Sequence, residues 1–126
     1  MARQKHPKRA NGSFLSLPHH LIRHPNFGDL SGNAVKLLIE LIKEHNGFNN
    51  GDFSAPFSKL KDRGWKSKGT LSRAIKELLD SGFIIKTRQG GKHKCSLYGF
   101  TLWGIDECDG KLEVRHSKSP SNEWKN

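Results

Sequence analysis

Residues 53–102 have the sequence FSAPFSKLKDRGWKSKGTLSRAIKELLDSGFIIKTRQGGKHKCSLYGFTL. The pattern predicts a short helix ending at Gly64, a second helix between Ser67 and Gly82, and a β-hairpin that turns at the Gly-Gly pair 90–91. A serine before a helix and a glycine after it are the residues that cap its two ends. The order helix, tight turn, helix and hairpin indicates an α+β fold.

The first of these helices is expected to start at Ser54, which is placed to cap it, with Pro56 in the first turn. Phe57 and Leu60 lie three residues apart and therefore share one face. Just upstream, Asn50-Gly51 predicts a turn, and a short extended segment follows in which Phe53 can enter the core. Three further aromatic residues are expected in the core: Trp65, Tyr98 and Trp103.

The second helix has one apolar and one polar side. Its buried stripe is expected to contain Leu71, Ala74, Ile75, Leu78 and Leu79. The opposite side carries Gly69, Arg73 and Lys76, and Thr70 and Ser72 flank it. The solvent-facing side thus offers two long cations and short hydroxyl groups.

Residues 32–45 predict a central helix, capped by Ser31 and followed by Gly47. One apolar stripe is expected from Val35, Leu38, Ile39 and Ile42, widened by Ala34, Leu37 and Leu41. So wide an arc either packs against several elements or reserves a flank for a second subunit. Further upstream, Leu17, Leu21 and Ile22 predict a short helix or turn between Pro18 and Pro25.

The chain has 126 residues, of which 33% are hydrophobic, and this length fits one small domain. The apolar residues are sparse at both ends, which predicts flexible termini. We expect a basic arm at residues 1–12, the folded domain at 13–105 and a tail at 106–126. Trp124 is an unusual residue for a solvated tail and is expected to dock.

The positive charge is clustered. The formal net charge is +10, and residues 59–76 carry seven bases against Asp62 alone. Residues 86–94 add four bases without an acid, and the amino terminus adds Arg3, Lys5, Lys8 and Arg9. Clusters of one sign favour a polyanionic partner over a surface that is merely well solvated.

Other functional classes lack their signatures. No apolar run is long enough for a membrane span, and no secretory signal precedes the domain, so a cytoplasmic protein with Cys95 and Cys108 reduced is expected. His20 and His24 have a spacing that a metal ion uses, but solvent-exposed or capping roles fit them better. Catalytic motifs are missing, and the acids around Cys108 fit a flexible turn, so we expect no enzyme, cofactor or metal.

Three helices followed by a basic hairpin form a winged helix-turn-helix, in which the hairpin is the wing. The stretch GTLSRAIKELLDSGFIIKTRQGG resembles the recognition helix and wing of bacterial winged helix-turn-helix regulators, through Thr70, Arg73, Ala74, Leu78, Gly82, Phe83 and Ile84. The run from LSGNAVKLL to YGFTLW also resembles small helix-turn-helix proteins of phages and plasmids. The resemblance implies double-stranded DNA binding, with the helix at 67–81 in the major groove and the wing at 83–103 on the backbone or minor groove.

The resemblance also implies the contact residues. Those at the groove are Ser67, Thr70, Ser72, Arg73 and Lys76, and those of the wing are Lys86, Arg88, Lys92, His93 and Lys94. Arg73 is the best candidate for base recognition, because a guanidinium can pair with guanine O6 and N7. Lys66, Lys68 and the wing lysines are expected to hold phosphates. Gly69 departs from the pattern, since it removes one side chain that could contact bases.

Several functions stay open at this point. A DNA-binding protein of this kind is either a transcriptional regulator, usually a homodimer, or a replication or maintenance factor of a mobile element, associated with the bacterial nucleoid. The main alternative is a winged helix that binds protein, using the apolar arc of residues 32–45 and Trp124. RNA binding is less favoured, because the aromatic residues are expected in the core and not on an exposed sheet.

Overall fold

The computed structural model describes residues 12–126. These residues form an α+β domain with five α-helices and one two-stranded antiparallel sheet. The helices are α1 (His19–Ile22), α2 (Pro25–Gly28), α3 (Gly32–Ile42), α4 (Phe57–Leu60) and α5 (Lys68–Asp80), and the strands are β1 (Ile84–Arg88) and β2 (Leu97–Phe100). Short 3-10 helices occupy Lys61–Arg63, Cys108–Gly110 and Glu123–Lys125. The basic arm expected at residues 1–12 lies outside the described residues, apart from Gly12.

The α3 helix crosses the centre of the domain and packs against α5. The predicted cap is confirmed, because Ser31 Oγ accepts a hydrogen bond from the Ala34 amide. The helix ends at Ile42, three residues before the expected end. Its buried side is centred on Leu37, Leu38 and Leu41, so the expected stripe was placed too far toward Ile39, which is 43% exposed.

The helix predicted at 54–63 is shorter than expected. It begins after Pro56, which makes no side-chain cap, and Ser54 is not its cap. After Leu60 the chain tightens into the 3-10 turn, and Gly64 then adopts a left-handed conformation with a φ of 91°. Phe53 and Trp65 are both 2% exposed, so their predicted places in the core are confirmed.

The α5 helix matches its prediction closely. Ser67 caps the amino end by accepting from the Thr70 amide, and Gly82 follows the carboxyl end with a φ of 82°. Leu71, Ala74 and Leu78 are buried, and Ile75 and Leu79 are partly buried against the same core. The local capping and periodicity therefore predict the position of this helix, and packing against α3 stabilises it.

The hairpin differs from its prediction at the turn. The Gly-Gly pair 90–91 does not form the loop; Gly91 pairs with Lys94, and Lys92 and His93 make the turn. The second arm, β2, covers only Leu97–Phe100 of the wing expected at 83–103, so Cys95 lies outside the strand and is exposed. Gly90 is needed because the returning chain crosses it: a Cβ there would lie 2.4 Å from the Ser96 amide nitrogen.

Residues 105–126, which we call the C-terminal strap, pack along the domain instead of extending from it as a tail. Ile105 pairs with Ser117, and the Asn122 amide donates to the Thr101 carbonyl. Trp124 is fully buried and lies against the rings of His20, His24 and Phe83. The docking expected of a tryptophan is thus confirmed.

The short helices at the amino end receive this tryptophan. The predicted helix after Pro18 is α1, but α2 was not predicted. His24 caps α2, because its Nδ1 accepts from the Asn26 amide at 3.0 Å. The Asn26 side chain then donates to the Trp124 carbonyl at 2.8 Å. No helix within residues 12–126 has the length and apolar character needed to cross a bilayer.

Candidate nucleic-acid interface

Three polar side chains form a row along the first two turns of α5. Ser67 Oγ lies 2.9 Å from Thr70 Oγ1, and Arg73 Nη2 donates to the same Thr70 oxygen at 3.3 Å. The three residues are spaced by three, so they follow an inclined ridge that starts at the cap residue, and each side chain meets the next. The hydroxyl of Thr70 thus directs the guanidinium of Arg73 toward the amino end of α5.

Gly69 makes room for this arrangement. A Cβ atom at Gly69 would lie 3.3 Å from Arg73 Nη1, which is closer than most real Cβ contacts. The glycine adopts ordinary helical angles, so no unusual backbone conformation requires it. The glycine thus leaves space beside the guanidinium, and a side chain here would require the flexible end of Arg73 to shift by a few tenths of an ångström.

Lys76 and Ser72 are exposed on the same helix. Lys76 Nζ lies 2.7 Å from Asp80 Oδ2, one turn further along α5, and both side chains are mostly in solvent. The carboxylate of Asp80 therefore holds Lys76 only weakly, because an exposed ion pair of this kind contributes little stability.

Lys66 and Lys68 flank the cap residue Ser67, Lys66 as the last residue before it and Lys68 as the first residue of α5, and both are exposed. The buried ring of Trp65 anchors the connection between α4 and α5, and the ammonium of Lys36 on α3 lies 5.4 Å from its centroid. Within residues 12–126, neither Lys66 nor Lys68 forms an ion pair. The two ammonium groups are free to meet an anion at the start of α5.

The tip of the hairpin presents three basic side chains in a defined turn. The Gly91 amide donates to the Lys94 carbonyl at 3.0 Å, and the Lys94 amide donates back at 3.2 Å. His93 has a φ of 68°, which gives the turn its left-handed residue. Lys92, His93 and Lys94 are all exposed, so the tip carries positive charge outward.

The resemblance assigns Arg88 and Lys86 to the same surface, but Arg88 contacts the other arm of the hairpin whereas Lys86 is exposed. Arg88 Nη2 donates to the Cys95 carbonyl at 2.8 Å, and its Nε is buried. Its guanidinium therefore holds the two arms of the hairpin together, which is a role the sequence did not predict. Lys86 is exposed and donates to Gln89 Oε1 at 3.1 Å.

Arg63, one of the seven bases in residues 59–76, is paired with a carboxylate of the domain. Arg63 Nε lies 2.7 Å from Glu40 Oε1, and Lys43 Nζ lies 3.3 Å from the same oxygen. Burial raises the pKa of Glu40, but the hydrogen bonds from Arg63 and Lys43 outweigh it and lower the pKa below its usual value. Arg63 thus joins α3 to the turn before α5.

Two carboxylates that no sequence pattern identifies, Glu77 and Glu113, hold α5 and the hairpin in place. Glu77 accepts from the Ser31 amide at 2.8 Å and from Ser31 Oγ at 2.6 Å, so it fixes α5 to the start of α3. Glu113 of the C-terminal strap accepts from the Gln89 amide at 3.0 Å. These contacts join distant residues, and no local spacing could have revealed them.

Residues 12–126 offer little support for a metal site or a reactive thiol. Within residues 12–126, no three His, Cys, Asp or Glu side chains gather where they could hold a metal ion. Cys108 and Cys95 are both free thiols. Burial, together with the carboxylates of Asp52 and Asp106, raises the pKa of Cys108 to about 11, so this thiol stays protonated.

We compared the chain with protein-family models, with curated proteins and with solved structures, and none of them matched.

Proposed function

We propose that this chain is a winged helix-turn-helix protein that binds double-stranded DNA. In this proposal α4 and α5 form the helix-turn-helix, α5 enters the major groove, and the β1–β2 hairpin is the wing. The phosphate contacts come from the lysines before and along α5 and from those of the hairpin: Lys66, Lys68, Lys76, Lys86, Lys92 and Lys94. Together with the resemblance to bacterial regulators, this partner suggests as part of the proposal that the protein acts in the bacterial cytoplasm, associated with the nucleoid.

The observation that carries the proposal is the row of Ser67, Thr70 and Arg73 on the exposed side of α5. A recognition helix presents its amino-terminal residues to base edges, and this row lies in the first two turns. A guanidinium that is oriented before binding loses less conformational freedom when it pairs with a guanine. Arg73 is therefore the proposed base contact, and Thr70 positions it.

The free ammonium groups around this row support the same partner. Lys66 and Lys68 lie at the start of α5, and Lys92 and Lys94 lie at the hairpin tip. None of the four forms an ion pair with a residue in 12–126. A DNA backbone supplies phosphates on both sides of a groove, which suits cations held on two separate elements.

The proposal is tested by measuring how tightly the protein binds labelled duplexes at low salt. We first select a preferred site from a random duplex library and then compare it with a scrambled duplex. Replacing Arg73 by Ala should cost about 1 to 3 kcal/mol on the selected site and little on the scrambled one. Lys118→Ala is the matched control, because it removes one positive charge from a strap lysine to which we assign no contact.

Two results would count against this function. If the parent protein binds no duplex at low salt, DNA binding fails altogether. If Arg73→Ala weakens both duplexes equally, Arg73 holds a phosphate and base recognition lies elsewhere. Competition with duplex RNA distinguishes the two nucleic acids, since α5 cannot enter the deep, narrow major groove of an A-form helix.

A protein-binding role is the second candidate, and Ile39 is the observation in its favour. Ile39 is 43% exposed on α3, which leaves one apolar side chain of the expected arc in solvent. Trp124, the other surface proposed for such a role, is fully buried. Light scattering of the free protein, with Ile39→Ser as the variant, measures whether this flank joins two copies.

A further inference from the structure

We infer that the C-terminal strap aims the hairpin, and that Glu113 is the positioning residue through which it acts. The inference rests on the proposed function for its consequence, namely that the lysines of the hairpin tip reach DNA together with α5. The contacts that support it are independent of DNA and can be tested without it.

The argument starts from an irregularity in β1. Lys86 pairs with Tyr98 and Arg88 pairs with Leu97, so Thr87 is an extra residue between two pairs of the ladder. A bulge of this kind bends its strand and increases the local twist. The direction of the hairpin tip beyond Arg88 therefore depends on how the bulge at Thr87 is held.

Groups outside the hairpin hold this bulge from two sides. The hydroxyl of Thr87 donates to the Gly51 carbonyl at 2.6 Å, and Thr87 is fully buried. Its carbonyl accepts from the Glu113 amide at 2.7 Å. The carbonyl that the bulge withdraws from the ladder thus finds its partner in the strap, while the side chain of Thr87 is fixed by Gly51.

The side chain of Glu113 extends this hold into the tip itself. Its Oε1 accepts from the amide of Gln89, the first residue after β1. Gln89 in turn accepts from Lys86 Nζ, and the next amide, that of Gly90, donates to Ser96 Oγ at 2.9 Å. A carboxylate of the strap therefore sits at the base of the basic loop and fixes where it leaves the sheet.

The strap is anchored at a second place, where α5 joins β1. A Cβ at Gly82 would lie 2.5 Å from the Glu123 carbonyl oxygen, so the strap backbone lies directly on Gly82. Thr101 Oγ1 donates to the Gly82 carbonyl, and the Thr101 carbonyl accepts from Asn122 of the strap. One segment thus contacts both the end of α5 and the base of the tip, and it fixes the angle between them.

Amide hydrogen exchange tests the inference without DNA. In Glu113→Ala, exchange at the Gln89, Gly91 and Lys94 amides should accelerate about fivefold, the loss expected for one hydrogen bond. Glu113→Gln keeps an oxygen acceptor, so it should exchange like the parent. Glu123→Ala is the matched strap control, because only the Glu123 backbone lies on Gly82 and no hydrogen bond or ion pair of its side chain is found within residues 12–126. Equal exchange in the parent and in Glu113→Ala would overturn the inference, whether or not the protein binds DNA.

A double-mutant cycle tests the consequence for binding. Removing both tip lysines with Lys92→Ala and Lys94→Ala should weaken duplex binding about tenfold in the parent and in Glu113→Gln. In Glu113→Ala the same removal should matter only about twofold, because a tip that is no longer aimed makes fewer contacts. The loss from Arg73→Ala should be the same in all three backgrounds. An undiminished loss from the lysine pair in Glu113→Ala would contradict the inference.

Discussion

Lys76 Nζ lies 2.7 Å from Asp80 Oδ2 on the exposed side of α5. The two side chains are 76% and 64% exposed, so water screens their attraction. Under the proposed function, a phosphate that approaches Lys76 must compete with this carboxylate and also meets its negative charge. Under that function the pair is expected to weaken DNA binding, and it contributes little to the stability of the fold.

Replacing Asp80 by Asn should raise the affinity for duplex DNA about threefold to fivefold, since it frees Lys76 and removes one like charge. The free energy of unfolding should change by less than about 1 kcal/mol, the usual range for an exposed pair. Binding titrations and thermal melts measure the two effects. Asp62→Asn is the control for general charge, and a rise of the same size there would deny Asp80 a local role.

Gly69→Ala separates the stability of α5 from its recognition surface. Alanine favours a helix interior over glycine by about 1 kcal/mol and the first turn by less, so at Gly69, the second residue of α5, the melting temperature should rise slightly. The added Cβ would lie 3.3 Å from Arg73 Nη1 and should displace the guanidinium from Thr70. We expect several-fold weaker binding to the selected site and unchanged binding to the scrambled duplex. A more stable variant that keeps full affinity for the selected site would show that this placement of Arg73 is unimportant.

Asn50 is expected to be among the most sensitive polar residues of the domain. It is 1% exposed, its amide group donates to the Phe100 and Gly104 carbonyls, and its carbonyl accepts from the Phe100 amide. Asn50→Ala should lower the free energy of unfolding by about 3 kcal/mol, because it strands buried backbone groups. Denaturant titration measures this loss. The exposed Asn33, changed to Ala, should shift stability by less than about 1 kcal/mol; similar losses at both positions would contradict this role.

The pH dependence of stability should reflect Glu40. Its folded pKa lies below the ordinary 4.5, so its ionised form stabilises the folded state. This contribution is complete above pH 4.5 and is lost as the pH falls through the folded pKa. Glu40→Gln should therefore destabilise the protein by about 1 kcal/mol at neutral pH and flatten the acid limb of the curve. If the free energy of unfolding falls equally steeply with falling pH in the parent and in Glu40→Gln, then a group other than Glu40 causes the loss of stability in acid.

The elements that local chemistry determines were predictable. Ser67 and Gly82 bracket α5 in the sequence, and they cap its two ends in the structure. The hairpin turn is predicted two positions too early because Gly90-Gly91 is a strong turn signal, whereas Lys92 and His93 form the turn. Gly90 is instead required because the backbone of Ser96 passes directly over it. A contact of this kind leaves no local sequence pattern.

Contacts between distant irregular segments were not predictable at all. Glu113 and Gln89 are 24 residues apart, and Asn50 and Gly104 are 54 apart. Neither pair belongs to a periodic segment, so no helical or strand spacing brings them together. Trp124 alone signalled that the carboxyl end packs on the domain, because a large indole is rarely left in water.

The most direct test of the account is the salt dependence of duplex binding. If the proposed interface as a whole neutralises six to eight phosphates, the logarithm of the binding constant should fall with the logarithm of salt concentration, with a slope of about −5 to −7. Removing Lys92 and Lys94 together should make the slope shallower by about 2. A flat response, or no binding at low salt, would contradict the claim that this surface binds DNA.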